Sequence, residues 1–163
     1  GPDAAYKTLE ELIAFNEANR DLSMPWFGQE IFTMCQAKGP LTSKEYLDAA
    51  ATARRLSTVE GIDKVMDANR LDAIVAPTGD PAFTIDLVNG DHYTGGGTST
   101  LPAVSGYPHI TVPAGQVMGL PVGLSFFGRA FGEPRLIALA HAYEQATRHR
   151  QAPGFLGTAA LTS

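Results

Sequence analysis

A chain of 163 residues and 17.3 kDa is near the usual size of one domain, so one hydrophobic core is expected. With 44% hydrophobic and 18% charged residues it is not a disordered sequence, and a net charge of −5 would repel a phosphate backbone, which argues against a nucleic-acid partner. The single cysteine, Cys35, excludes an internal disulfide framework and a cysteine-based zinc cluster. No apolar run approaches the ~20 residues that cross a bilayer, and GPDAAYKT lacks the basic and apolar regions of a signal peptide, so no membrane partner and a cytoplasmic location are expected. The first residue is not Met and Gly1-Pro2 fits a protease scar, so the start of the chain reads as a cut rather than a gene start.

The first 70 residues read as mainly helical. A capping box, Thr8-x-x-Glu11, opens a short helix carrying Leu9, Leu12, Ile13 and Phe15. After the break at Ser23-Met24-Pro25-Trp26, the cluster Ile31, Phe32, Met34 and Cys35 predicts a second short helix that stops at Lys38-Gly39-Pro40. Cys35, among these apolar neighbours, is expected to be buried and inert. A second box, Thr42-x-x-Glu45, precedes apolar residues recurring at three- and four-residue steps from Tyr46 to Met66, the clearest helical period in the chain.

From residue 71 the period changes. Leu71 to Ala76 is a nearly unbroken apolar run ending at Pro77, the pattern of a strand buried on both faces. The connection from Pro77 to Pro108 is long and rich in Gly, Thr, Ser and Asp, and loops of that length usually line a site. His109 to Val112 and Val122 to Phe127 predict two strands of a hairpin joined by a turn-rich Pro113 to Pro121 segment. Glu133-Pro134 starts a last helix bearing Leu136, Ile137, Leu139, Ala140, Tyr143 and Ala146, with Arg148, His149 and Arg150 at its end.

Candidate chemistry concentrates in the long connection. Asp80 follows the first strand, where open α/β sheets place their ligands, although Asp in Thr78-Gly79-Asp80-Pro81 equally suits a turn. Gly95-Gly96-Gly97-Thr98-Ser99-Thr100 lets backbone N–H groups approach a ligand closely, yet it is neither a P-loop nor G-x-G-x-x-G nor a nucleophile elbow. Ser99, His109 and Asp91 can be written as a triad, but nothing in their spacing fixes that geometry. His109 reads better as a satisfied edge histidine. His92, His141 and His149 offer no metal-ligand spacing, and Arg54-Arg55, Arg20 and the terminal basic residues read as solvated charges.

Taken together, Leu71 to Thr78, Leu101 to Gly115, and Gly119-Leu120-Pro121-Val122-Gly123-Leu124 resemble, in that order, the C-terminal region of amidase signature enzymes. Phe126-Phe127-Gly128, Phe131-Gly132-Glu133 and Ala140 to Glu144 continue the likeness, and Phe27-Gly28-Gln29-Glu30 with Asp86 to Asp91 are most similar to the peptide-amidase branch. The resemblance implies an α/β/α fold with a mixed sheet flanked by helices, of which residues 1–163 would be one incomplete domain. It also implies hydrolysis of a carboxamide by a serine, bridged through a second serine to a lysine, without metal or organic cofactor. That machinery is not matched here: the chain has no adjacent Ser-Ser pair flanked by glycines, and Lys7, Lys38, Lys44 and Lys64 lie outside any such motif. No catalytic residue is therefore assigned. The expected role is the C-terminal portion of a serine-dependent amidase, inactive alone, with Asp80, Gly96, Gly97, Thr98 and Ser99 nearest a peptide or small-molecule amide substrate. The alternative is a binding module of this family that holds an amide or peptide without cleaving it. Cutting the sheet from its neighbours would expose apolar strand edges, so self-association is expected.

Overall fold

The computed structural model describes residues 1–155, and its contacts divide into two compact units, Gly1–Asp48 and a second beginning at Ala49. In the first unit, α1 (Leu9–Ala18) carries the predicted capping box: the Glu11 N–H donates to the Thr8 hydroxyl at 3.1 Å, and the Glu11 carboxylate accepts from the Thr8 N–H at 3.0 Å. A single turn, α2 (Arg20–Ser23), follows, and α3 (Glu30–Gln36) packs on α1. The Gln29 side chain joins them, donating to the Ile13 carbonyl at 3.1 Å and accepting from the Asn16 amide at 3.2 Å. Cys35 is exposed rather than buried, because a seven-residue helix packed on one neighbour leaves most of its circumference uncovered.

The second box is corrected as well. Ser43, not Thr42, caps α4 (Lys44–Ser57), its hydroxyl accepting from the Tyr46 N–H at 3.3 Å. That shift puts Tyr46 rather than Glu45 third in the helix, so no reciprocal bond forms. The helical path continues to Asn69 as expected, but through a π-helical turn (Thr58–Ile62) before α5 (Asp63–Asn69). Gly61 permits this turn: a Cβ there would lie 2.5 Å from the Leu56 carbonyl oxygen. The wider turn faces Thr58 and Ile62 into the core.

Three strands form an antiparallel sheet in the order β1 (Ile74–Pro77), β3 (Leu120–Phe127), β2 (His109–Val117). Adjacent residues of a strand point to opposite faces, and β3 uses this to hold two cores. Phe126 packs with Val112, Leu136 and Ala140 beneath α7 (Glu133–Thr147), with α6 (Thr100–Ser105) lying between β1 and β2 in the chain. Phe127 packs with Ile62 and Met66 beneath the π turn and α5. The sheet therefore lies between helices on both faces, the α/β layering that was expected. The strand buried on both faces is β3 and not Leu71 to Ala76, since β1 pairs only with β3 among the described strands and its Val75 is 54% exposed.

The hairpin is present but longer than predicted. Both strands run through the supposed turn region, and the connection is only Met118-Gly119, each in the left-handed region (φ 50° and 74°). A bulge at Ala114, where the pairing steps from Pro113↔Gly123 to Gly115↔Val122, absorbs the Pro and Gly residues that mimic a turn in the sequence.

Candidate active-site wall

At the end of β1 the chain is anchored by hydroxyls. Thr78 donates its N–H to the Gly123 carbonyl at 2.8 Å, and its Oγ1 bonds Ser125 Oγ at 2.8 Å and also meets Thr111 Oγ1. Ser125 is 0% exposed, so this bond satisfies a hydroxyl that water cannot reach. Gly123 makes room for the cluster: a Cβ there would sit 2.6 Å from Thr78 Oγ1 and 2.8 Å from Thr111 Oγ1.

Beyond Thr78 the loop turns back on itself. The Asp80 carboxylate accepts from the Gly96 N–H at 3.1 Å and from the Thr94 hydroxyl, so it clasps the two limbs of the loop together. A side chain at Gly96 would overlap that carboxylate. The Thr98 hydroxyl donates to the Pro77 carbonyl at 3.1 Å, closing the same loop nearer the sheet. Between these limbs, Asp86 forms a self-contained turn, accepting from the backbones of Val88 and Asn89 at 2.9 Å each, while Asp91 accepts from the Asp86 N–H at 2.9 Å. Ser99 then precedes the short α6.

Asp80, Gly96, Gly97 and Ser99 line one open depression of about 570 Å³. Thr98 is absent from its lining, its hydroxyl being committed to Pro77. The loop also contributes Phe83 and Tyr93, and the hairpin tip supplies Val117, Met118 and Leu120, which sequence reading missed. No local signal marks the tip residues, because the hairpin register alone brings the tip to the loop.

The paper triad does not assemble. Ser99 lines the depression, Asp91 is spent on the Asp86 backbone, and His109 lines a separate small pocket with Ile110, Glu133 and Leu136. His109 is also not the satisfied edge residue expected from sequence: its Nε2 is buried without a hydrogen-bond partner, since most of that pocket's lining is apolar. No group of three or more His, Cys, Asp or Glu side chains poised to hold a metal occurs among the described residues, and no described helix is long and apolar enough to cross a membrane.

The Thr94 hydroxyl bond, followed by the Gly96 N–H bond, holds the Asp80 carboxyl below the ordinary carboxylate range. A depressed carboxyl contributes stability above its unfolded pKa and loses it as pH falls through the lower folded value. The clasp should therefore persist at neutral pH and release only below about pH 4. The protection of the Gly96 amide relative to its intrinsic exchange rate, followed from pH 6 downward, should hold until that range; loss of protection with a midpoint above it would contradict the assignment.

Comparison with known proteins fits this geometry. A family model described as Amidase matches residues 4–137. The chain is 37% identical over 153 residues to an Arabidopsis thaliana protein named "Probable amidase", covering 92% of this chain and 26% of that protein. It is 37% identical over 133 residues to a glutamyl-tRNA(Gln) amidotransferase component from Geobacillus stearothermophilus, covering 78% and 27%. Among solved structures, a peptide amidase in complex with the competitive inhibitor chymostatin superposes with a TM-score of 0.89 at 46% identity over 93% of this chain and 31% of the other. The native peptide amidase of Stenotrophomonas maltophilia gives 0.86 at 45% identity, covering 93% and 30%. The chain thus spans between about a quarter and a third of the length of these relatives. A family match over residues 4–137, together with a sheet layered between helices like that of the solved amidases, shows that the chain belongs to the amidase family.

Proposed function

We propose that this chain forms one wall of the substrate cleft in a longer serine-dependent amidase that hydrolyses carboxamide C–N bonds, with peptide amides as the favoured substrate class. The observation that carries the reading is the likeness, at 46% identity over 93% of the chain, to a peptide amidase solved with a competitive inhibitor. The depression between the 78–99 loop and the hairpin tip is the surface on which an amide would rest.

In this reading the nucleophilic serine, the bridging serine and the lysine base reside in the part of the enzyme not matched by these residues, and the reaction uses no metal or organic cofactor. Proton and acyl transfer need a nucleophile and base within hydrogen-bond reach of the scissile group; Ser99 and His92 both line the depression, but among the described residues no hydrogen bond joins them. Their contribution is to hold and orient the amide, a task in which geometry alone can supply much of a rate enhancement.

The loop residues provide the test. In the complete enzyme, Asp80→Asn and Thr98→Val loosen the two closures of the loop. Each is expected to raise KM for peptide amides about three- to tenfold with a smaller change in kcat, the signature of lost ground-state and transition-state binding alike. Unchanged kinetics across several amides would remove this loop from the cleft.

A further inference from the structure

Met118 is misplaced by every local criterion. It occupies the first position of a two-residue hairpin loop with φ 50°, followed by Gly119 at φ 74°, where Asn, Asp or Gly fits best. Its side chain is nevertheless long and apolar, and it is 61% exposed, so neither backbone preference nor burial within the hairpin accounts for it. It lines the depression beside Val117 and Leu120.

The loop contributes two aromatic rings to the same depression. Phe83 and Tyr93 meet edge to face, with centroids 5.9 Å apart and planes at 64°, and both remain exposed. Among the described residues no Lys or Arg lines the space, His92 is its one basic side chain, and the one carboxylate, Asp80, is bonded to Thr94 and Gly96. An acidic guest would meet the Asp80 carboxylate with no lysine or arginine to offset it. An aromatic guest would find the rings of Phe83 and Tyr93 and the polarizable thioether of Met118 among the lining residues.

Resting on the amide-cleft reading above, we propose that Met118, Phe83 and Tyr93 receive an aromatic side chain carried next to the scissile amide, and that Met118 sets the preference for it. The decisive variant is Met118→Asn, because Asn suits the left-handed turn and so separates recognition from folding. In the complete enzyme it should lower the ratio of kcat/KM for N-acetylphenylalaninamide to that for N-acetylalaninamide by about three- to tenfold, the range a methionine–aromatic contact supports, while Tm holds or rises. An unchanged ratio would overturn the inference and leave the amidase reading standing.

Absence of amide hydrolysis by the unmodified enzyme would instead defeat the amidase reading. Binding to the 163-residue chain then decides the inference by itself. With methyl-labelled methionine, the Met118 resonance should shift on adding N-acetylphenylalaninamide and not N-acetylalaninamide, with Met66, buried against Phe127, as an internal reference for an intact core. Equal responses to both amides, or none at Met118, would overturn it.

Discussion

In sedimentation over a concentration series, the isolated chain should run as a dimer or larger assembly rather than at 17.3 kDa. Apolar side chains of the second unit stand in the open: Val75 on the sheet edge, Leu56 on α4 and Val59 on the π turn are all more than half exposed. At ~25 cal/mol per Å² of apolar area, covering even a few hundred Å² offsets part of the entropy lost on association. The edge of β1 that β3 does not pair supplies unpaired backbone groups for a second chain. Hydrogen exchange should therefore show protection at the amides of Ile74, Val75 and Ala76 that deepens with concentration. A monomer at all concentrations would mean that this surface is tolerated without a partner.

The substitution with the largest expected effect on stability is Gly123→Val. Any Cβ at this position meets Thr78 Oγ1 at 2.6 Å, Thr111 Oγ1 at 2.8 Å and Thr78 Cβ at 3.0 Å, and valine adds two methyl groups to that contact. Neither threonine can yield freely, since Thr78 is fixed by its backbone bond to the residue being changed and Thr111 lies within β2. If Thr78 retreats, the fully buried Ser125 hydroxyl loses its partner. Overpacking and an unsatisfied hydroxyl together should cost about 2–4 kcal/mol, lowering Tm by roughly 10 °C or more for a unit of this size. Thermal denaturation checks the magnitude. A double-mutant cycle checks the cause, because Thr78→Ala should relieve part of the penalty of Gly123→Ala if the two collide directly. Independent, additive effects would mean that the strain lies elsewhere.

What could be read from the sequence follows the range of the interaction that decides each feature. The Thr8–Glu11 box depends on residues three apart, and it formed as expected. The order of the strands does not depend on neighbours in sequence. Leu71 to Ala76 looks more continuously apolar than Val122 to Phe127, yet antiparallel pairing on both sides makes β3 central and leaves Val75 in the open. Pro113 and Pro121 suggest a broad turn, whereas Pro113 sits at a bulge and Pro121 lies beyond the end of β1, where β3 is paired on the β2 side alone. The same division holds at the candidate site. Asp80, Gly96, Gly97 and Ser99 belong to one loop whose length and composition mark it, and they share one depression. Phe83 and Tyr93 lie in that same loop without a polar signal to single them out, whereas the hairpin-tip residues were missed because Met118 in a left-handed turn carries no usual turn signal and reaches the loop only through the β2–β3 register. A threonine in a glycine-rich loop offers a hydroxyl to a ligand, and at Thr98 that hydroxyl also closes the loop on Pro77.

If these residues hold an amide without cleaving it, ammonia release from N-acetylphenylalaninamide and a panel of peptide amides, assayed in parallel for the purified 163-residue chain and for the complete enzyme that contains it, should separate the two. Turnover is expected from the complete enzyme and none above the blank from the chain. Turnover by the chain that survives repurification and disappears in Ser99→Ala would contradict that expectation, placing a nucleophile in the 78–99 loop itself.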